Sequence, residues 1–515
     1  MLPFGQIDEI PGRVRLGARC ARAALAQSER GGGRSSRYRL RDVRPSARAV
    51  AATLAASLAL TLTGCSTPVL KPQVKLPGQF AAAPDAKDAP EVAWWEQFND
   101  PVLSDLIRRA ERENRDIKIA AQRVRAARAG ETISRSALLP SIGASAGGLD
   151  YNTHYGSPQN QAVPDIEAAG ASVNISWELD LAGGLRAGAK AAAADAIAAE
   201  QRERGVRLLV MTDVASNYFT LVGALRQLET VRAISAAQDE SLRLVTARQR
   251  VGLATPFDVE RAQTEASRAR AAIPPLETLA AVSRHRIAVL VGDQASNASG
   301  MTTWSGAELV VPAAQPGQPA ALLQRRPDLL ALDAQLQAAN ARRRQAKAEY
   351  FPRLFLNALF GSQRVELNDF DVGTTRFTLA TGLLTMPLFN WGRTGAINDI
   401  AAANQSEALL RYEDGIVRAL EDVENALVAL EDERRRAESL NTAASAAEAA
   451  LGRAQSLYNR GQIDLLPLLD AQRQRLSVRV SANDSNTQLL LDSVQLYKAL
   501  GGGWQAFEPN QESKS

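Results

Sequence analysis

From Arg186 to Arg250 the sequence reads as one helix of roughly 65 residues with no proline in it. Met211, Val214, Tyr218, Leu221, Leu225 and Leu228 follow one another at spacings of 3-4-3-4-3, which is a heptad seam. At about 1.5 Å per residue such a helix is near 100 Å long. Helices of that length belong to coiled coils rather than to compact domains. The pattern occurs twice. From about Thr394 to Arg460 a second long helix carries Ile416, Leu420, Val423, Leu427 and Leu430 at 4-3-4-3. Each long helix ends in a similar tip, RVGLATPFDVERAQ at Arg250–Gln263 and YNRGQIDLLPLLDAQ at Tyr458–Gln472. Aligned on Gly252 and Gly461 the offset is 209 residues, and Ala262-Gln263 falls on Ala471-Gln472. That is an internal duplication.

The repeats divide the chain. Residues 91–294 form the first and 319–502 the second, joined by a polar Gly- and Pro-bearing connection at 295–318. In the first, Asp100-Pro101 opens a helix that runs to about Leu138, where Pro140 stops it. A short Gly-rich stretch, 141–150, and a polar loop, 151–168, lead to a strand at Ser172–Leu181. Val173, Ile175, Trp177 and Leu179 alternate there with Ser172, Asn174, Ser176, Glu178 and Asp180. About ten alternating residues match a transmembrane β-strand, though the periodicity alone favours a soluble sheet. After the tip a helix returns from about Pro256 to Val291-Gly292, with a kink expected at Pro274-Pro275. The second repeat restarts at Arg325-Arg326-Pro327-Asp328. It offers strands at Leu354–Gly361 and Arg376–Leu388 around a loop at 362–375, with Phe377, Leu379, Thr381 and Leu383 on one face of the latter. Its last helix ends at Leu500, and 503–515 reads as a flexible tail. The fold class is therefore mainly α with a small β part: duplicated long α-hairpin coiled coils carrying four strands per chain.

Composition narrows the function. The net charge of +4 invites a nucleic-acid partner, but residues 1–64 hold 11 arginines against 4 acidic residues and carry +7 of it, leaving −3 for the rest. No nucleic acid is expected. Two cysteines and two histidines leave little for a metal site, and no nucleophile motif is present, so no enzyme, cofactor or metal is expected. The basic run Arg34–Arg48, the apolar run Ala49–Leu62 and Leu62-Thr63-Gly64-Cys65 follow the order of a secretory signal. The last four resemble a bacterial lipobox, which makes Cys65 the first residue of the mature chain, carrying diacylglycerol and a fatty acyl group. Residues 1–64 would then be the signal peptide, behind an upstream extension with the true start near Val43. Residues 65–90, rich in Pro, Ala, Lys and Gln, read as an extended tether.

Four strands cannot close a barrel, and an open edge cannot face lipid. If the strands enter a membrane, several chains must share one barrel.

Taken in order, the lipobox, WWEQFNDP at Trp94–Pro101, RRPDL followed by ARRRQAKAEYFPRL, the joins ELDL and MPLFNWGR, and the two tips are similar to the TolC-like outer-membrane factors. The likeness covers Cys65 to Gly502 and lies closest to the lipoprotein branch serving resistance-nodulation-division efflux. It implies a homotrimer with a shared twelve-stranded outer-membrane barrel and an α-helical tunnel across the periplasm. It also implies a periplasmic adaptor docking at the Gly252 and Gly461 tips, an inner-membrane pump, and passive exit of small toxic compounds. Asp470 falls on an acidic ring residue, Asp258 on a linking residue and Tyr458 on a gate tyrosine. Pro467 and Ile463 replace residues that can complete a charged lock, so Leu465, Leu466 and Leu469 are expected to seal by apolar contact. Ala182 and Gly184 replace the usual Trp and Arg at the first strand–helix join, where a looser corner is expected. Type I protein secretion and a channel-free coiled-coil adaptor lipoprotein are the alternatives.

Overall fold

The computed structural model describes residues 68–83, 92–152, 165–300, 304, 309–313, 315–367 and 370–508. Cys65, His154 and the N-terminal signal segment lie outside the described residues.

The folded part opens with a 3-10 turn, Trp94–Phe98, whose aromatic side chains are buried. Asp100 then caps α1 (Pro101–Glu113), accepting from the Val102 and Leu103 amides. The single first helix expected from the pattern is two. It breaks at Asn114, whose backbone is extended and whose side chain caps α2 (Arg115–Ser136) through the Asp116 and Ile117 amides. The same side chain donates to the Leu290 carbonyl at 2.8 Å, so the break gives the fold a cross-link.

Strands β1 (Ser141–Tyr151), β2 (Ile166–Leu179), β3 (Arg353–Leu367) and β4 (Phe370–Thr385) make one antiparallel sheet in the order β1-β2-β3-β4. The repeats are joined through the β2–β3 ladder, which runs from Ile166↔Leu367 to Leu179↔Leu354. Strand lengths correct the sequence reading. The Gly-rich stretch at 141–150 is strand, and β2 starts at Ile166. The loop expected at 362–375 is taken up almost wholly by β3 and β4. Its polar residues hide the alternation, but Arg364 bonds Asp371 at 2.7 Å and stitches the two strands together.

Register sorts the faces. Ser141 and Ser145 lie opposite Ser176 and Ser172, with hydroxyl contacts of 2.7 and 2.9 Å. That face continues through Asn174 to Asn357 and Thr381. Ile142, Val173, Ile175, Trp177, Leu354, Leu356, Phe360 and Leu384 share the other face. Phe377, Leu379 and Leu383 fall on the serine-bearing face, with Phe377 lying over Gly361 where a side chain would stand. Asp180 lies beyond β2, where it caps the next helix.

Helices α3 (Gly184–Arg250) and α7 (Arg393–Asn459) are 67 residues each. They start after Gly183 and Gly392, both in the left-handed region. They end at Gly252 and Gly461, also left-handed. The helices that return, α4 (Pro256–Ala271) with α5 (Ile273–Leu290) and the unbroken α8 (Leu465–Ala499), end before left-handed Gly292 and Gly501. All three glycine pairs stand 209 residues apart. The interruption between α4 and α5 falls at Ala272, two residues before Pro274-Pro275, which stand in the first turn of α5. The α3 seam is buried at Met211, Val214, Tyr218, Leu221 and Leu228, and the α7 seam at Ile416, Val423, Leu427 and Leu430.

The expected loose first corner is held: Asp180 accepts from the Leu185 and Arg186 amides and from the Arg186 guanidinium. The opening helix of the second repeat, α6 (Pro327–Ala348), starts beside Arg326, which donates to the Ala499 carbonyl at 3.0 Å. Ala499 is the duplicate of Leu290, so Arg326 plays the part that Asn114 plays in the first repeat.

The two ends of the folded part are more ordered than the sequence suggests. The tether lies against α6 and α7: Gln405 donates to the Pro68 carbonyl, and the Ala81 and Ala82 amides donate to Glu424. Phe80 is fully buried in the cluster that holds Leu329, Ile416 and Val423. At the other end, Trp504–Phe507 is a 3-10 turn rather than tail. Trp504 is buried under Arg204, and Phe507 stacks on Trp95.

Candidate functional site

The two tips meet. Val245 and Ala262 from the first hairpin pack with Tyr458, Leu465, Leu468 and Leu469 from the second in one small apolar cluster. Each tip closes with the same device. After Arg250, the Leu253 amide reaches back to the Arg248 carbonyl at 2.9 Å and the Gly252 amide to Gln249. After Asn459, the Gln462 amide reaches Leu457 at 2.9 Å and the Gly461 amide reaches Tyr458. This is the Schellman closure, and it needs a left-handed residue at the glycine.

The residues singled out in the sequence fall into two groups. Tyr458 and Leu469 are buried in the tip cluster. The Arg248 guanidinium lies 4.3 Å over the Tyr458 ring, a partner that the heptad reading did not reveal. Asp258 belongs to the start of α4, where it forms a capping box with Thr255. The Thr255 amide and then its hydroxyl hold the Asp258 carboxyl below the usual carboxylate range. Leu466 and Asp470, by contrast, are exposed on one side of α8, four residues apart, with Arg473 a further turn along and paired to Asp470. Leu465 and Leu469 face the cluster, so of the three leucines expected to seal the tip only Leu466 is free of it. The first tip also exposes Val251, Leu253 and Phe257, with Arg261 against the Phe257 ring. Just above the cluster Gln472 donates to Ser241 across the two hairpins at 3.1 Å, a buried polar contact that seam spacing alone does not mark.

Among the described residues no group of three or more His, Cys, Asp and Glu side chains is placed to hold a metal ion. What the geometry offers is an open-edged sheet at one end of two paired hairpins and a closed tip at the other. The family model described as outer membrane efflux protein matches the chain over residues 106–293 and 319–502, one span for each structural repeat. The chain belongs to the outer membrane efflux protein family. Pyoverdine export outer membrane protein OpmQ of Pseudomonas putida is 32% identical over 466 residues, covering 88% of this chain and 98% of that protein. Outer membrane protein OprJ of Pseudomonas aeruginosa is 30% identical, covering 87% and 95%. The solved outer-membrane channel OprN superposes with a TM-score of 0.77 at 28% identity, covering 85% of this chain and 99% of that one. The protein is thus an outer-membrane efflux channel protein.

Proposed function

We propose that three copies of this chain form one passive exit duct through the outer membrane, with no enzymatic step. The observation that carries the proposal is the sheet: β1 and β4 are both edges, at one end of two helices near 100 Å long. Unpaired strand edges are not tolerated in lipid, so β4 of one copy pairs with β1 of the next. Two copies make eight strands, a barrel that its own side chains fill. Three make twelve and leave an aqueous bore. The Ser141, Ser145, Ser172, Asn174 and Ser176 face lines the water, and the Ile142, Val173, Ile175 and Phe360 face meets lipid.

Acylation of Cys65 fits the docked tether. Pro68 lies against Gln405, 12 residues into α7 and so about 18 Å along it from the strand end. The tips present Gly252 and Gly461 to a periplasmic adaptor, backed by the exposed Val251, Leu253 and Phe257, and the adaptor couples the duct to an inner-membrane resistance-nodulation-division pump. Relatives are named for pyoverdine export and for toluene efflux. The cargo proposed here is small toxic compounds rather than secreted protein. Leu466 and Asp470 form the constriction, while Tyr458, Leu469 and Asp258 fix the helix ends that carry it. A ring of three aspartates favours cations.

The test is single-channel conductance of the purified protein in planar bilayers, wild type against Asp470→Ala. A small cation-selective conductance that grows in the variant supports the aspartate constriction. A large conductance in both keeps the duct and moves the gate away from Asp470. Silence in both overturns the duct and brings back the channel-free adaptor.

A further inference from the structure

The end of the sheet away from the helices carries charges that one copy does not balance. Asp150, Glu167 and Glu366 stand directly opposite one another on β1, β2 and β3. Like charges so placed repel across the ladder. Glu366 has Arg364 at 2.8 Å, but Arg364 is shared with Asp371 at 2.7 Å. Among the described residues Glu167 has no cationic partner, and Asp150 has only the Asn152 side-chain amide, at 2.8 Å. On the edge strand β4 the reverse holds. Arg376 is exposed and makes no ion pair among the described residues. The ladder sets Arg376 level with Ser362, Ala171 and Ala146, so it shares a face with Ala146 and, four residues on, with Asp150.

The strand ends supply the offset that joins the two. Ser141, the first residue of β1, lies level with Ser176, Asn357 and Thr381, whereas β4 runs on to Thr385. Crossing the sheet from β1 to β4 therefore climbs four residues away from the helices. In a ring of identical copies the strand beside β4 is β1 again at its original height, so the climb becomes a stagger at that seam. Four strands about 4.8 Å apart, tilted by about 35–45°, give a stagger of about four to six residues. Only an even stagger keeps the apolar face on one side of the ring. In the next copy's β1, Arg376 then meets the level of Asp150 or of Asn152. A stagger of four sets it directly opposite Asp150. A stagger of six makes Asp150 its diagonal neighbour, still within reach of a long side chain. We infer that Arg376 of each copy pairs with Asp150 of the next, so that the carboxylate row is completed by a cation from the neighbour. The inference rests on the three-copy barrel and fixes its register. Asp150 and Arg376 each stand nine positions from the helical end of their strand, about 30 Å along it. That is the outer rim of an apolar band about 25 Å tall, where charge on the lipid face costs little.

The experiment is cysteine pairing in the full chain in isolated outer membranes, with copper phenanthroline as oxidant. Three double variants are compared: Asp150→Cys with Arg376→Cys, Asp150→Cys with Thr378→Cys, and Ala146→Cys with Arg376→Cys. Directly opposed strand residues lie within the span of a disulfide. Covalent dimers and trimers are expected from the first pair for a stagger of four, or from the second for a stagger of six. Products from the Ala146 pair, or from none of the three, would overturn the register. Charge reversal tests the ion pair itself. Arg376→Glu and Asp150→Arg are each expected to shorten the half-life of the unboiled trimer in detergent about 10-fold, and the two together to restore it. Failure of the combined variant to recover overturns the ion pair. Conductance of the same proteins in planar bilayers separates the inference from its basis. A conducting channel without the expected cross-links sinks the register alone, whereas no conductance and no cross-links sinks the three-copy barrel with it.

Discussion

Four glycines with nearly the same backbone offer a sharp test of what the fold asks of them. Gly252, Gly461, Gly292 and Gly501 all lie between φ +69° and +83°, and each sits in a Schellman closure. Their surroundings differ. A β-carbon built on Gly252 or Gly461 would meet nothing within 4 Å. On Gly292 it would stand 2.7 Å from the Glu113 carbonyl oxygen, and on Gly501 2.8 Å from the Arg326 α-carbon. Backbone atoms cannot swing aside as a side-chain end can. Alanine at either tip therefore carries only the left-handed cost, about 1–2 kcal/mol. At Gly292 or Gly501 it adds displacement of a packed backbone, about 1–3 kcal/mol more. Hydrogen exchange reads this locally at the amides that close each motif, those of Leu253, Gln462, Asp293 and Gly502. Protection is expected to fall about 5- to 30-fold in Gly252→Ala and Gly461→Ala, and by more than about 30-fold in Gly292→Ala and Gly501→Ala. Equal losses in all four would show that backbone conformation alone sets the cost and that the close approaches to Glu113 and Arg326 relax freely.

Tyr218→Phe should cost about 1.5–3 kcal/mol in denaturant midpoint terms, because it leaves the buried Asp100 carboxylate short of a donor while keeping the ring. Burial and then the Asp100 contact push the Tyr218 phenol far up, so this contribution is whole below about pH 10, where an unfolded tyrosine titrates, and fades only above it. Asp258→Ala should loosen the start of α4 by about 1 kcal/mol, seen as faster exchange of its first amides. Since the folded Asp258 carboxyl titrates below its usual range, that stability is present above about pH 3.9 and lost as pH falls through the folded value. Phe80→Ala should release the tether by about 3–5 kcal/mol, read as faster tryptic cleavage at Lys71 and Lys75 with the helices intact.

The helices were legible because their signal is periodic and long: both seams, both tips and the break just before Pro274-Pro275 follow from spacing and proline alone. The strands were legible only in part. In β3 and β4 the residues 362–375 are mostly polar, with Val365, Leu367, Phe370 and Val372 as the apolar exceptions, and what orders them is pairing across the sheet, Gln363 with Thr375 and Arg364 with Thr374, which no single strand displays. The side chains at Asn114, Arg326 and Asp180 were illegible for another reason. Each acts on a partner distant in sequence or on a helix end, and Asn in a helical pattern looks like any other polar residue. At the tip, the sequence picked out Asp470 and Tyr458 together, but whether a residue faces the cluster or solvent depends on how α8 sits against α3. That is why Leu469 and Leu466, three residues apart, part company.

The duplication itself follows a physical constraint. Between Gly183 and Gly292, and between Gly392 and Gly501, the offset never departs from 209, whereas the helices capped at Asn114 and Arg326 start at Arg115 and Pro327, 212 residues apart. An extra residue in α7 would raise everything beyond it by about 1.5 Å and turn it by about 100°. The repeats are tied at both ends, by the β2–β3 ladder and by the tip cluster where Val245 and Ala262 meet Tyr458 and Leu468. With two fixed ends, a length change in one hairpin alone must break the seam, the ladder or the cluster. Helices α2 and α6 are each tied at their starts, through Asn114 to Leu290 and Arg326 to Ala499, and are 22 residues long apiece; it is the chain before those ties that differs, α1 in the first repeat and a short 3-10 and helical turn at 319–325 in the second. Equal hairpins are what let the two tips meet in that cluster.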